Sequence, residues 1–173
     1  MDNEQEKTME ALKTAIQMEI DGKEYYTKAC QQSGNQLGRD LLKSLAAEED
    51  VHHHKFEEIF QDINSKREWP EVDFKPDGGK RLRTIMAAAT GDAVKKDDTE
   101  LAAIREAMKM EIKTHEYYSD LSKNASFDAE REFYEKVAIE EREHHLILVD
   151  YYEYLEDPAG WFVKSEHSSL DGG

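Results

Sequence analysis

The chain repeats one pattern of charged residues at a single offset of 92 positions, and that repeat limits its fold more than any other feature. Glu19, within Met18-Glu19-Ile20, returns as Glu111, within Met110-Glu111-Ile112. Tyr25-Tyr26 returns as Tyr117-Tyr118. Glu49 and His52, spaced Glu-x-x-His, return as Glu141 and His144. Each half therefore supplies a Glu from one segment and a Glu-x-x-His pair from the next. Together the halves offer four carboxylates and two imidazoles.

Hydrophobic periodicity places these residues on helices. The predicted helices run from about Asn3 to Gln32, Gln36 to Asn64, Asp97 to Asn124 and Ser126 to Glu156. Ser33-Gly34-Asn35 reads as a stop for the first, and Asp98-Thr99 offers capping side chains for the third. Pro158 and Gly160 close the fourth, and residues 157–173 read as a short tail with no amphipathic fifth helix. Residues 65–96 form a long connection that holds Pro70, Pro76 and Gly78-Gly79, with room for a short helix between Arg81 and Thr90. Tight turns within each half and one long crossover between halves predict an all-α four-helix bundle. It would be a single domain of two antiparallel hairpins.

The charged residues fall on the seams that should face inward. Leu42, Leu45, Glu49, His52, Phe56, Ile59 and Ile63 alternate at spacings of three and four, as do Tyr134, Val137, Glu141, His144, Leu148, Tyr151 and Leu155. Met9, Leu12, Ile16, Glu19 and Tyr26 match Leu101, Ile104, Met108, Glu111 and Tyr118. A buried carboxylate is costly unless it is paired or coordinated, and four at one level repel one another. Two divalent cations balance four carboxylates, and neutral imidazoles complete the shell without adding charge. Glu19, Glu49, His52, Glu111, Glu141 and His144 are therefore the candidate metal ligands. In the simplest arrangement Glu49 and His52 hold one ion, Glu141 and His144 the other, and Glu19 and Glu111 bridge or cap them. Glu-x-x-His alone is a weak signal, and a structural Glu–His core is the plain alternative. Two seam copies with matched partners favour metal.

Several neighbours need placing. Glu48 and Glu140 lie about 100° around the helix from Glu49 and Glu141. They are candidates to accept the free ring N–H of the opposite histidine, Glu48 from His144 and Glu140 from His52, or to be solvated surface groups. Tyr26 and Tyr118 follow Glu19 and Glu111 by two helical turns; they read as packed core phenols and as candidate redox or proton donors beside the metals. Tyr25 and Tyr117 are expected to pack outward. His115 is one turn from Glu111, and His53, His54 and His145 point off the seam. His167 lies in the polar tail, and Cys30 has no partner in the other half, so it reads as a small core residue.

Composition narrows the partners. With 23 basic and 39 acidic residues the net charge is −16, which disfavours nucleic acid and anionic membranes. The polar, acidic start does not resemble a signal peptide, and no apolar run approaches a membrane span. A cytoplasmic location is the expectation.

These residues resemble the rubrerythrin branch of the ferritin-like superfamily over nearly the whole chain. The resemblance rests on Met18-Glu19-Ile20, Glu48-Glu49-Asp50-Val51-His52, Met110-Glu111-Ile112 and Glu140-Glu141-Arg142-Glu143-His144. It extends to the close Tyr154-Leu155-Glu156-Asp157-Pro158 with Trp161-Phe162. It implies a ferritin-like bundle with a non-haem centre of two iron ions that reacts with hydrogen peroxide or dioxygen. Zinc or manganese would suit the same donors. Storage of iron with ferroxidase activity, and a non-redox metal-binding module, are the other readings. Two departures stand out. Rubrerythrins proper carry a rubredoxin-like four-cysteine module, whereas this sequence has one cysteine, so electrons are expected from a separate donor, for which a rubredoxin-like protein is a candidate, or from the iron being oxidised. They also place a further Glu three residues after the third-helix ligand. Here that position is Thr114, and its repeat counterpart is Gly22. A homodimer is expected for this family.

Overall fold

The computed structural model describes residues 3–66, 68–95 and 97–170. These form helices α1 (Asn3–Gln32), α2 (Gln36–Lys66), α3 (Lys80–Met86), α4 (Asp98–Lys123), α5 (Asp128–Glu156) and α6 (Pro158–Leu170), and among the described residues there are no strands. α1 packs along α2, and α4 along α5, so the chain is a ferritin-like bundle of two hairpins. Among the described residues no helix is long and apolar enough to cross a membrane.

The inward stripe of α1 is regular: Met9, Leu12, Ala15, Glu19, Gly22, Tyr26 and Ala29 are buried, at spacings of three and four. The turn into α2 is fixed by Asn35, whose Oδ1 accepts from the Gly38 N–H at 2.7 Å and caps the helix. Gly38 permits a close approach, because a Cβ there would lie 2.1 Å from Tyr151 Oη. α4 is capped by Asp97, not by Asp98 or Thr99: its Oδ1 accepts from Thr99 N at 2.8 Å and Glu100 N at 3.4 Å. The short helix of the crossover begins at Lys80, where Asp77 accepts from the N–H groups of Lys80 and Arg81 at 3.0 and 3.1 Å.

The C-terminal segment corrects the sequence reading of a short tail. Pro158 does stop α5, but it also opens α6, since proline at a first helical position loses no hydrogen bond. Asp157 is the cap: its carbonyl accepts from Trp161 N at 2.9 Å, and its Oδ1 accepts from Gly160 N at 3.1 Å. Trp161 then packs edge-on against Tyr154, with centroids 5.5 Å apart, and donates to Asp150 at 2.6 Å. The burial of His167 lies outside the described side chains.

The core is split in two. Around one end of the bundle gather Leu41, Leu42, Leu45, Leu82, Ile104 and Leu148; around the other, Leu12, Phe56, Ile59, Phe133, Tyr134 and Val137. Between these apolar halves lies a layer of buried charge.

Candidate metal centre

Glu19, Glu49, His52, Glu111, Glu141 and His144 meet in that layer, and none is more than 3% exposed. α1 and α4 each contribute one Glu; α2 and α5 each contribute a Glu and a His from one helix face. The structure joins them in a pattern that crosses between hairpins. His52 Nδ1 lies 3.3 Å from Glu19 Oε2 and 3.1 Å from Glu141 Oε1. The counterpart is His144 Nδ1, 3.7 Å from Glu111 Oε2 and 3.1 Å from Glu49 Oε1. Two donor groups result, one of Glu19, Glu49, His52 and Glu141, the other of Glu49, Glu111, Glu141 and His144.

Glu49 and Glu141 thus belong to both groups, while Glu19 and Glu111 each belong to one. Of the two roles the sequence leaves to Glu19 and Glu111, bridging or capping, membership of a single group fits capping, and the shared carboxylates are Glu49 and Glu141. The reason is antiparallel packing. His52 of α2 faces Glu141 of α5, and His144 faces Glu49, so the two Glu-x-x-His faces interlock at the centre.

These contacts lack hydrogen-bond geometry. Glu19 Oε2, Glu49 Oε1, His52 Nδ1, Glu111 Oε2, Glu141 Oε1 and His144 Nδ1 are each buried without a hydrogen-bond partner. Such orphans are rare in folded interiors, and here one comes from each of six residues. The donor set of carboxylate oxygens and imidazole nitrogens suits first-row divalent metals. The residues therefore fit a di-iron carboxylate site.

Electrostatics reinforce this. Burial, then the carboxylates of Glu141 and Glu19, push Glu49 well above the usual carboxylate range. Burial and Glu111 raise Glu141. For His52 burial acts downward, but the contacts with Glu141 and Glu19 outweigh it and raise the imidazole well above its ordinary value. His144 is raised in the same way, against burial, by Glu111, Glu48 and Glu49. Without cations, the layer holds protons to offset its crowded negative charge.

The outer oxygens are held by phenols. Tyr26 Oη donates to Glu111 Oε1, and Tyr118 Oη donates to Glu19 Oε1. Both hydroxyls are buried, and burial together with the partner carboxylate raises each well above the usual phenol value, so they keep their protons. Tyr25 and Tyr117 do not simply pack outward as expected. Each reaches the facing helix, Tyr25 donating to Ala103 O at 2.7 Å and Tyr117 to Ala11 O at 3.3 Å. Each of these pairs maps onto its twin by the 92-residue offset, so the centre has an internal two-fold.

Around the ring, Glu48 Oε2 accepts from His144 Nε2 at 2.8 Å, as the sequence suggests. The corresponding Glu140–His52 hydrogen bond is not formed; Glu140 Oε1 accepts instead from Gly78 N at 3.1 Å. Phe74 presents an edge contact to the His52 ring, with centroids 5.6 Å apart. Sequence reasoning misses both crossover residues, because residues 65–96 have no periodicity to place them. His115 is drawn away, its Nδ1 donating to Ala138 O at 2.7 Å. Thr114 bonds to its own helix, at Met110 O and Glu111 O, both 3.1 Å. A cleft of about 270 Å³ lies against Glu48, His52, Phe74 and Glu140.

A helical bundle of two hairpins around a buried carboxylate–histidine centre is a ferritin-like protein of the carboxylate metal class. The Rubrerythrin family pattern matches residues 10–152, and the chain belongs to the rubrerythrin family. No curated protein and no solved structure matches it significantly.

Proposed function

We propose that this protein is a non-haem di-iron oxidoreductase that reacts with hydrogen peroxide or dioxygen, with a rubrerythrin-like peroxidase role against oxidative stress. The observation that carries this reading is the set of six buried polar atoms, one from each ligand candidate, that face one another without hydrogen bonds. Glu19 and His52 would hold one iron, Glu111 and His144 the other, and Glu49 and Glu141 both. When bound, the two ferrous ions supply two electrons for reduction of the oxidant.

The chain's own groups do the rest. Tyr26 and Tyr118 fix the outer oxygens of Glu111 and Glu19, leaving the inner oxygens directed at the centre. Their hydroxyls hold a proton within the carboxylate layer, at the position a proton donor would occupy. The apolar halves on either side exclude water. Electrons would return from a rubredoxin-like donor; the one cysteine of these residues does not build a four-cysteine iron module. The working assembly is a homodimer in the cytoplasm.

Anaerobic iron loading followed by stopped-flow mixing with peroxide and, separately, with dioxygen tests the proposal. Two irons per chain and rapid oxidation by about one peroxide per iron pair are expected. Failure of both oxidants to oxidise bound iron would refute it. Repeated uptake of iron into a large assembly would favour storage instead.

A further inference from the structure

Among the described residues the internal two-fold fails just outside the ring of six atoms. On one side His144 Nε2 donates to Glu48 at 2.8 Å. When the ring is neutral, that bond places its proton on Nε2 and leaves the Nδ1 lone pair directed at the centre. On the other side Glu140, the repeat counterpart of Glu48, is bonded to Gly78 N at 3.1 Å. Among the described residues His52 Nε2 makes no hydrogen bond, and its ring is held by packing, with the edge of Phe74 against it.

The cause lies in the topology. A chain with one crossover can lay it over only one side of a two-fold centre. Residues 68–79 cover the His52 side, and the positions 92 residues after 68–78 fall in α6, so among the described residues the His144 side has no equivalent strap. The Gly78-Gly79 pair makes the strap's final turn with φ of 64° and 74°, a left-handed conformation that favours glycine. That turn aims the Gly78 N–H at Glu140.

A carboxylate on the far nitrogen of a metal-binding imidazole fixes its tautomer, holds its ring and raises its basicity. Removing such a partner typically weakens metal binding about 10–100-fold. We propose that the two metal positions are unequal: the position at His144 is the tight one, because Glu48 anchors its ligand, and the position at His52 is the weaker, exchangeable one. The inference rests on the di-metal reading above. It makes Glu48 a positioning residue.

Anaerobic calorimetric titration of the metal-free full chain with Fe²⁺, and with Co²⁺ as a redox-stable probe, tests this. Two binding steps should appear, separated by about 10-fold or more in affinity. His144→Ala should remove the tighter step and His52→Ala the weaker. Glu48→Gln should weaken the tighter step about 10–100-fold and merge the two, with the circular dichroism of the metal-free chain unchanged. Glu140→Gln, which removes a carboxylate near His144 that makes no bond to its ring, should weaken either step much less than Glu48→Gln weakens the tighter one. Two indistinguishable steps in the wild type, or equal losses in Glu48→Gln and Glu140→Gln, would overturn the inference while leaving the di-metal reading intact. A wild-type chain that binds neither Fe²⁺ nor Co²⁺ would overturn that reading, and the inference with it.

Discussion

Removing one oxygen atom from either of two neighbouring tyrosines should have opposite consequences. Tyr118 and Tyr134 are both fully buried, their rings stack 6.3 Å apart, and both pack on Phe56. Their hydroxyls differ. Tyr118 Oη donates to Glu19 Oε1, whereas Tyr134 Oη is buried with no hydrogen-bond partner. Tyr118→Phe keeps the ring and its stacking but leaves a carboxylate oxygen without a donor. A hydrogen bond to a charged group is worth about 1.5–3 kcal/mol. For a chain of this size a change of 1 kcal/mol moves the melting temperature by about 2–4 °C, so a fall of about 3–12 °C is expected. Tyr134→Phe instead deletes a polar atom whose burial already costs about 1–3 kcal/mol, and its melting temperature should hold or rise.

The assay is thermal and urea unfolding of the metal-free variants, followed by far-UV circular dichroism. Tyr26→Phe belongs in the series, since the internal two-fold gives it the same bond to Glu111 and the same expected loss. Equal destabilisation of Tyr118→Phe and Tyr134→Phe would refute the reasoning. It would mean that ring packing, not the phenol–carboxylate bond, sets the cost.

The geometry carries three further expected outcomes. Because Glu141 belongs to both donor groups and Glu19 to one, Glu141→Ala should weaken both metal ions while Glu19→Ala weakens one, as read by metal analysis after dialysis. Gly38→Ala would place a Cβ 2.1 Å from Tyr151 Oη and 2.5 Å from Ser33 Oγ, so overpacking should cost about 1–3 kcal/mol in denaturant unfolding. In the metal-free chain the raised Glu49 and Glu141 oppose folding above their unfolded pKa, and the raised His52 and His144 stabilise below theirs, so both effects favour the fold as pH falls from about 8 to about 5. The loaded chain should lose stability over the same range as protons compete with metal, and parallel melting profiles for the two forms would contradict a coupled site.

Much of this centre is legible in the sequence because the ligands sit on long helices with clean periodicity. Once Glu49 is on the seam, His52 must share its face, and the 92-residue offset carries the same geometry to Glu141 and His144. Two features are not legible there. Which carboxylates are shared depends on the direction of α2 against α5, and helical periodicity within one segment says nothing about the neighbour's direction. The crossover contacts of Phe74 and Gly78 depend on a proline- and glycine-rich path that no repeat fixes. Asp157-Pro158 shows a third kind of ambiguity. In sequence the pair signals a stop, yet the same residues form a cap and first turn. The downstream residues decide between the two roles, here through the packing of Trp161 on Tyr154.

The remaining alternative is that the layer is a structural Glu–His core with no metal. Energetics weigh against it. A buried polar atom left without a hydrogen bond costs about 1–3 kcal/mol, and six such atoms face one another here. A whole domain retains only about 5–15 kcal/mol of net stability. A structural core would close its own hydrogen bonds, as Glu100 does here: it accepts from Ser33 Oγ at 2.6 Å and Tyr151 Oη at 2.7 Å. The same chain therefore builds a satisfied carboxylate at one end of the bundle and six unsatisfied inner atoms at its centre. The outer oxygens of Glu19 and Glu111 are satisfied too, by Tyr118 and Tyr26, so it is the inward-facing atoms that are left open. Selective satisfaction of this kind is what a site shaped around cations requires, because each inner atom must keep its lone pair free. It also explains why the costliest residues of the interior occur twice, at one offset, on the faces that antiparallel hairpins bring together.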